Sequence, residues 1–473
     1  MPQHLMVSII IVNYNGRHLL EECLTAIFGI NYPKNLYEVI VVDNNSQDDS
    51  VDYIRNHFPK VKLIESIQNL GFAGGNNLAI TNAKGDLFVC VNSDTKVDKN
   101  WLKYLVDSSK EKNVGAVSSK LRYYTPFIKL TIQSETHLKA NLYKSNDFSP
   151  LGLIVEEIKR EGHPAFSDCW YSGGFYQPKK GNLNSRWTNG NGEILLPMEH
   201  KNEVFKLVFH GISSDFESRS KYKILLGDKT IKSGTIKSND AESIVLKIDK
   251  EEYKNEAIWL VQNAGNIILK NGLSRDIGSV IKNSHSELKE FYDFDGDYYN
   301  QKRKLVGLCG ASFLIKKEVV DKIGLFNNDF FMYYEDVDLG LRLWKSGWDI
   351  VYEPKSVVYH KHRATTNKET STFFIKLIQK NHLIFLLLHF PLKQFVIKFI
   401  MFLLKTSVLL VILTMFKFLR YYGEKYKSTY IRATGRVESL KSFLESFKRT
   451  YKNRKWLKSN QKRSFSDLLK YLY

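Results

Sequence analysis

Residues 86–94 read DLFVCVNSD, and the reading of this stretch decides the fold. Leu87, Phe88, Val89, Cys90 and Val91 form an unbroken apolar run between polar residues. That is the pattern of a strand buried on both faces of a parallel sheet. The chain turns polar at Asn92-Ser93-Asp94, where such a strand would end. In open α/β sheets ligands bind beyond the carboxyl ends of the strands, so Asp94 would point into a crevice. A short, hard carboxylate there suits an oxygen-seeking divalent cation. The plain alternative is a loop aspartate that caps the next helix.

The same pattern recurs upstream. VSIIIV at 7–12 ends in Asn13-Tyr14-Asn15-Gly16, and Leu19, Leu20, Cys23, Leu24 and Ile27 follow at helical spacing. VIVV at 39–42 ends in Asp43-Asn44-Asn45, and a helix is expected from Ser50. A third strand is expected at 61–64, then the glycine-rich turn NLGFAGGNN at 69–77, a helix at 78–83 and a fifth strand at 114–118. Strands alternating with helices predict a parallel sheet of the nucleotide-binding type, with polar clusters at its strand ends.

A length of 473 residues allows roughly two to four domains. The four cysteines are widely spaced with no CxxC pair, which suggests neither a zinc site nor a disulfide framework. No signal peptide is expected before the first strand, so a reducing, cytosolic setting follows. The net charge of +19 is concentrated at the end of the chain, where Lys417–Tyr473 holds 16 Lys and Arg against 4 Asp and Glu. That basic tail follows the most apolar stretch, 395–418, interrupted by Lys398, Lys405 and Lys417. Lys398 and Lys405 share one helical face, which favours a helix lying in a membrane interface beside anionic lipid. A membrane span and a buried bundle under the catalytic domain remain open alternatives. No nucleic-acid module is recognisable, and the apolar neighbour of the tail argues against nucleic acid as a partner.

Residues 169–281 differ in character, with short alternating runs separated by Gly, Asn, Asp and Lys. They predict an inserted β-sandwich, with 125–164 and 286–304 as loops. Trp170, Tyr171, Phe175, Tyr176 and Trp187 can either stack on sugar rings or anchor the core of the insert.

VSIIIVNYNG, VVDNNSQDDS, NLGFAGGNN and the VNSD strand end appear in that order. They are followed at 307–360 by GLCGASFLIKKEVVDKIGLFNNDFFMYYEDVDLGLRLWKSGWDIVYEPKSVVYH. Together they resemble the family-2 glycosyltransferases with a GT-A fold, nearest the rhamnosyltransferase-like branch. The resemblance covers residues 6–125 and 305–366. It implies an α/β GT-A nucleotide-binding half at 1–165 and an acceptor and catalytic half at 284–370, to which the patterning adds the β insert at 166–283 and a helical, basic, membrane-associating region at 371–473. Asp43 would accept from the imide of uracil or thymine. Asn13, Asn15, Asn76, Asn92 and Ser93 would lie against the nucleotide, with Asn92 standing where the family has the first carboxylate of its DxD motif. Asp94 and His360 would hold Mn2+ or Mg2+, whose task is to neutralise the diphosphate. Asp336 would be the general base, with Glu335 beside it, and the product would have inverted stereochemistry.

The implied protein is cytoplasmic and peripheral on the inner face of the cell membrane. Its donor is a dTDP- or UDP-linked sugar, rhamnose among the candidates, and its acceptor a glycan or lipid-linked oligosaccharide in surface polysaccharide assembly. A non-catalytic nucleotide-sugar or glycan binder on the same scaffold is the competing reading. Truncation after about Thr366 is expected to leave a soluble protein that still binds donor.

Overall fold

The apolar runs form strands and the polar residues stop them. The amino-terminal order is β1 (Val7–Asn13), α1 (Arg17–Phe28), β2 (Tyr37–Asp43), α2 (Ser50–His57), β3 (Lys62–Glu65), α3 (Gly71–Thr81), β4 (Leu87–Val91), β5 (Thr95–Val97), α4 (Trp101–Ser109) and β6 (Val114–Tyr123). β1 lies parallel to both β2 and β4, and β2 parallel to β3. After the insert come β7 (Leu260–Asn263), β8 (Arg303–Leu305), β9 (Ser312–Lys316), α5 (Lys317–Ile323), α6 (Glu335–Lys345) and β10 (Asp349–His360). β9 enters antiparallel between β4 and β6, and β10 runs parallel to β6 and antiparallel to β5. The path across the sheet runs β3-β2-β1-β4-β9-β6-β7 and continues through the strands Glu287–Phe294 and Ser279–Ser284. The computed structural model describes residues 5–139, 147, 149–162, 169–176, 185–212, 219–238, 240–284, 287–361 and 371–472, the side chains of 280–291 apart.

All five residues of β4 are buried, and a separate apolar cluster covers each face of the sheet. The glycine-rich stretch is not an extended turn, because α3 begins at Gly71. Gly71 has φ +70°, which glycine adopts without strain. Gly75 sits against β1, where a Cβ would come within 2.8 Å of Val12 Cγ1. Close helix–strand packing accounts for that glycine.

The chain forms two units, Thr125–Leu260 and the remainder. The first unit is built on an eight-stranded sheet in which all the pairings are antiparallel, with a separate pairing of His137–Leu138 and Pro150–Leu151. Its boundaries differ from the expected 166–283, because Phe127–Ser134 and Ile154–Arg160 are interior strands of this sheet. Residues from Val261 onward pair with β6 instead. Inward-facing Ile128, Leu130, Phe205, Leu207 and Ile224 build a core of their own. Tyr171 and Phe175 pack against that core, with ring centroids 4.7 Å apart.

Three long helices follow β10 among the described residues, α7 (Thr372–His389), α8 (Leu392–Phe418) and α9 (Glu424–Asn460), and a short one, Phe465–Leu468, comes after them. Every residue of Leu383–Leu388 is at most 3% exposed, so α7 is buried all round in this segment. It packs with Phe330, Val337, Leu341 and Trp344 and belongs to the same unit as the mixed sheet. α8 is the opposite case. Its buried residues are Phe395, Phe402, Thr406 and Leu413, a narrow seam, while Ile400, Leu404, Val408, Val411 and Met415 are exposed. By length and composition α8 is able to cross a membrane.

Removing residues 371–473 should therefore expose the outer face of α6. Losing a buried Leu or Phe typically costs about 2–5 kcal/mol, and α7 supplies several. The truncated protein is expected to aggregate or melt without a cooperative transition. A soluble truncation with an unchanged melting temperature and near-ultraviolet circular dichroism would contradict the packing described here.

Candidate active site

The carboxyl ends of β1, β2 and β4 bring the first polar residues together. Asn13 and Asp43 are in register across β1 and β2, and Asn13 Nδ2 donates to Asp43 Oδ2 at 3.1 Å. Ser46 N donates to Asp43 Oδ1 at 2.9 Å. Asp43 is 3% exposed, and donors on both oxygens fix its carboxylate in one orientation. Asn15 holds a left-handed φ of 50°, its N–H donating to Ser46 Oγ and its Oδ1 accepting from Gln47 N. Asn76 is buried, and its amide donates to Phe72 O within α3 at 2.8 Å.

At the end of β4, Ser93 and Asp94 are nearly buried. β10 delivers His360 to the same place, pairing with β5 at Thr95, and His360 Nε2 lies 3.2 Å from Asp94 Oδ1. His360 Nδ1 is 2.6 Å from Gln262 Oε1. An amide oxygen only accepts, so Nδ1 donates to Gln262 and the ring is turned with Nε2 toward Asp94. A carboxylate and an oriented imidazole are a fitting donor pair for a borderline divalent cation. No third His, Cys, Asp or Glu joins them among the described residues. His362, the neighbouring candidate, lies outside the described residues.

Asp336 sits in the first turn of α6 and is half-buried. Gly310 N donates to its Oδ2 at 3.0 Å and Val337 N to its Oδ1 at 2.8 Å. Gly310 adjoins Ala311, whose carbonyl accepts from Asn92 N at 3.0 Å, so one dipeptide ties Asp336 to the end of β4. Burial pushes the Asp336 carboxyl up, against the opposing pull of these N–H groups and of the Asn266 amide. Glu335 is pushed up further by burial and by the Asp336 carboxylate, and its Oε2 has no hydrogen-bond partner among the described residues. Burial thus disfavours charge on both carboxyls, and more strongly on Glu335. One turn on, buried Asp338 binds Arg342 Nε at 2.7 Å and His389 of α7 at 2.7 Å.

The segment that delivers α6 is strained. Phe331, Tyr333 and Tyr334 have φ of 63°, 71° and 72°, a conformation that costs a non-glycine residue about 1–2 kcal/mol. Nothing in the sequence FFMYY signals this. Gln262 and Asn266 were equally silent, being lone amides at the edge of the insert.

Two family models match this chain: Glycosyl transferase family 2 over residues 8–163 and Glycosyltransferase like family 2 over 292–381. Among curated relatives, the glycosyltransferase AglE of Haloferax volcanii is 25% identical over 36% of this chain and 58% of its own length. A poly(ribitol-phosphate) beta-glucosyltransferase of Bacillus spizizenii is 34% identical over 24% of this chain and 19% of its own length. The N-acetylglucosaminyl-diphospho-decaprenol L-rhamnosyltransferase of Mycobacterium tuberculosis is 38% identical over 14% of this chain and 21% of its own length. This chain thus spans between about a fifth and three fifths of the relatives' lengths. The parallel sheet, the crossing β9 and the strand-end cluster define the GT-A class of scaffold. Within that class, the matched segments place the chain in the family-2 glycosyltransferases.

The buried Glu335 gives a pH-dependent stability. Its folded pKa lies above the unfolded value of about 4.3. The stability that it contributes is complete below that value and is lost as pH rises toward the folded one. Glu335→Gln should therefore match the wild type in melting temperature near pH 4 and exceed it increasingly up to neutral pH, by roughly 1 kcal/mol or more. Parallel melting curves for the two proteins across that range would contradict the assignment.

Proposed function

We propose that the chain is an inverting, metal-dependent glycosyltransferase that moves a sugar from a nucleotide diphosphate to a glycan or lipid-linked saccharide during surface polysaccharide assembly. The observation that carries this reading is the meeting of Asp94 and His360 at 3.2 Å from the two halves of the chain. Asp336 is fastened to the same strand end through Gly310 and Ala311.

In this reading Asp43 accepts the imide N–H of a pyrimidine, which favours UDP- or dTDP-linked donors. Asn13, Asn15, Asn92 and Ser93 line the path from base to diphosphate. Asp94 and His360 would hold Mn2+ or Mg2+, which supplies Lewis acidity to the diphosphate oxygens. Gln262 holds the His360 ring with Nε2 presented. Asp336 removes the proton from the acceptor hydroxyl as that oxygen attacks the anomeric carbon opposite the diphosphate. One displacement with one base inverts the configuration. Glu335, kept neutral by burial, leaves Asp336 as the charged member of the pair. The exposed apolar face of α8 and the cationic helix α9 suit an anionic membrane surface, where a lipid-linked acceptor would reside. The relative that acts on a diphospho-decaprenol carrier favours the same acceptor class.

A panel of UDP- and dTDP-sugars with Mn2+ and a polyprenyl-diphosphate saccharide in anionic vesicles tests this reading. Nucleoside diphosphate release is expected from one donor class, faster in anionic than in neutral vesicles. Asp336→Asn should slow it by roughly 10²–10⁴ with UDP affinity unchanged. Asp94→Ala should remove the response to Mn2+. Release unchanged in both variants would overturn the residue roles, and no release from any donor would favour the binding-protein reading.

A further inference from the structure

The strained segment before Glu335 is held by a helix that follows the last matched strand. Each carbonyl from Asp329 to Tyr334 has a donor. Asp329 O accepts from Lys380 Nζ, and Phe331 O accepts from Ala73 N at 3.0 Å. Tyr334 O accepts from Asp338 N at 2.8 Å inside α6. The other three, Phe330 O, Met332 O and Tyr333 O, all accept from a single group, Asn381 Nδ2 on α7, at 3.0, 2.8 and 2.7 Å. Asn381 is fully buried, and its Oδ1 has no hydrogen-bond partner among the described residues. Three carbonyls on one side fix which end of the amide faces them, since the oxygen would repel all three.

We propose that Asn381 is a positioning residue for the acceptor-side base: its amide gathers three carbonyls, holds Phe331, Tyr333 and Tyr334 in their left-handed conformation, and so sets Asp336. The inference rests on the reading of Asp336 as base. The physical need is plain. Residues in left-handed backbone persist only where the surroundings over-determine them. Two of those three residues are Tyr333 and Tyr334, immediately before the acid pair. The amide supplies Met332 O and Tyr333 O with a donor and adds a second to Phe330 O, which also accepts from Met332 N at 2.8 Å, and an apolar residue of the same size would take these donors away. It is carried on the segment of chain adjoining Leu383–Leu388, whose burial anchors α7 to α6. Asn381 touches none of Asn13, Asp43, Asp94 or His360, so donor binding should not depend on it.

Two substitutions in the full-length protein test the role. Asn381→Asp keeps the shape but turns a carboxylate toward the carbonyls, and Asn381→Gln keeps the amide on a longer stem. Binding-competent molecules are counted by UDP titration with Mn2+, and turnover is expressed per competent molecule with the donor that the panel identifies. Turnover should fall by roughly 10–100-fold in Asn381→Asp and less in Asn381→Gln, with the UDP dissociation constant within about twofold of wild type. Hydrogen exchange should quicken in 330–338 and stay unchanged in β1 and β4. If Asn381→Asp does not fold, Asn381→Ser takes its place in the same comparison. Full turnover per competent molecule, or unchanged exchange in 330–338, would overturn the proposal even when Asp336→Asn is inactive. Wild-type turnover in Asp336→Asn would instead remove the base assignment and this role with it.

Discussion

Strands buried on both faces have only their ends left for chemistry. In β1, β2 and β4 nearly every residue before the last is sealed by one of two apolar clusters, and Asn13, Asp43 and Asn92 follow at once. Parallel pairing puts those ends on one edge. The antiparallel β9 carries the chain back between β4 and β6, which brings Gly310 and Ala311 to that edge. β10 brings His360 there by pairing with β5. The site follows from sheet connectivity rather than from any local motif.

Two kinds of strain and burial accompany the chemistry. Glu335 is a buried carboxyl lacking a full set of partners, and the segment before it runs through left-handed backbone. Both are costly, and neither would persist without the helices packed behind them. The contact between Asp338 and His389 adds a buried polar link between α6 and α7. Burial lowers the His389 pKa to about 4, with Lys345 adding to the effect, so the ring meets Asp338 as a neutral donor through Nε2. Losing this link would take one donor from the buried Asp338 carboxylate, which Arg342 still pairs, so α7 contributes to the polar as well as the apolar packing of α6.

The β1, β2 and β4 runs were legible because a short, continuous apolar stretch that stops at Asn or Asp fits a doubly buried strand and little else. Asp43, Asp94, His360 and Asp336 are singled out in the sequence because they end or begin its ordered motifs, and the strand ends bring Asp94 and His360 within 3.2 Å. Other features were not. Residues 125–164 read as loops because their alternation is broken by polar positions, yet Phe127–Ser134 is an interior strand of the insert. Leu383–Leu388 reads alike as core or as membrane, since periodicity says nothing about a helix that is apolar all round. Burial assigns it to the core, while α8 keeps its apolar face exposed. Gln262, Asn266 and Asn381 act through single amides, whose partners are set by tertiary approach and leave no pattern along the chain.

The central claim is that the strand-end edge is a metal-assisted pyrimidine nucleotide site. Calorimetric titration with UDP, dTDP and GDP, each with and without Mn2+, tests it most directly. The account predicts that UDP and dTDP bind far more tightly than GDP and that binding strengthens markedly with Mn2+. Equal affinity for GDP, or UDP binding indifferent to the cation, would contradict it.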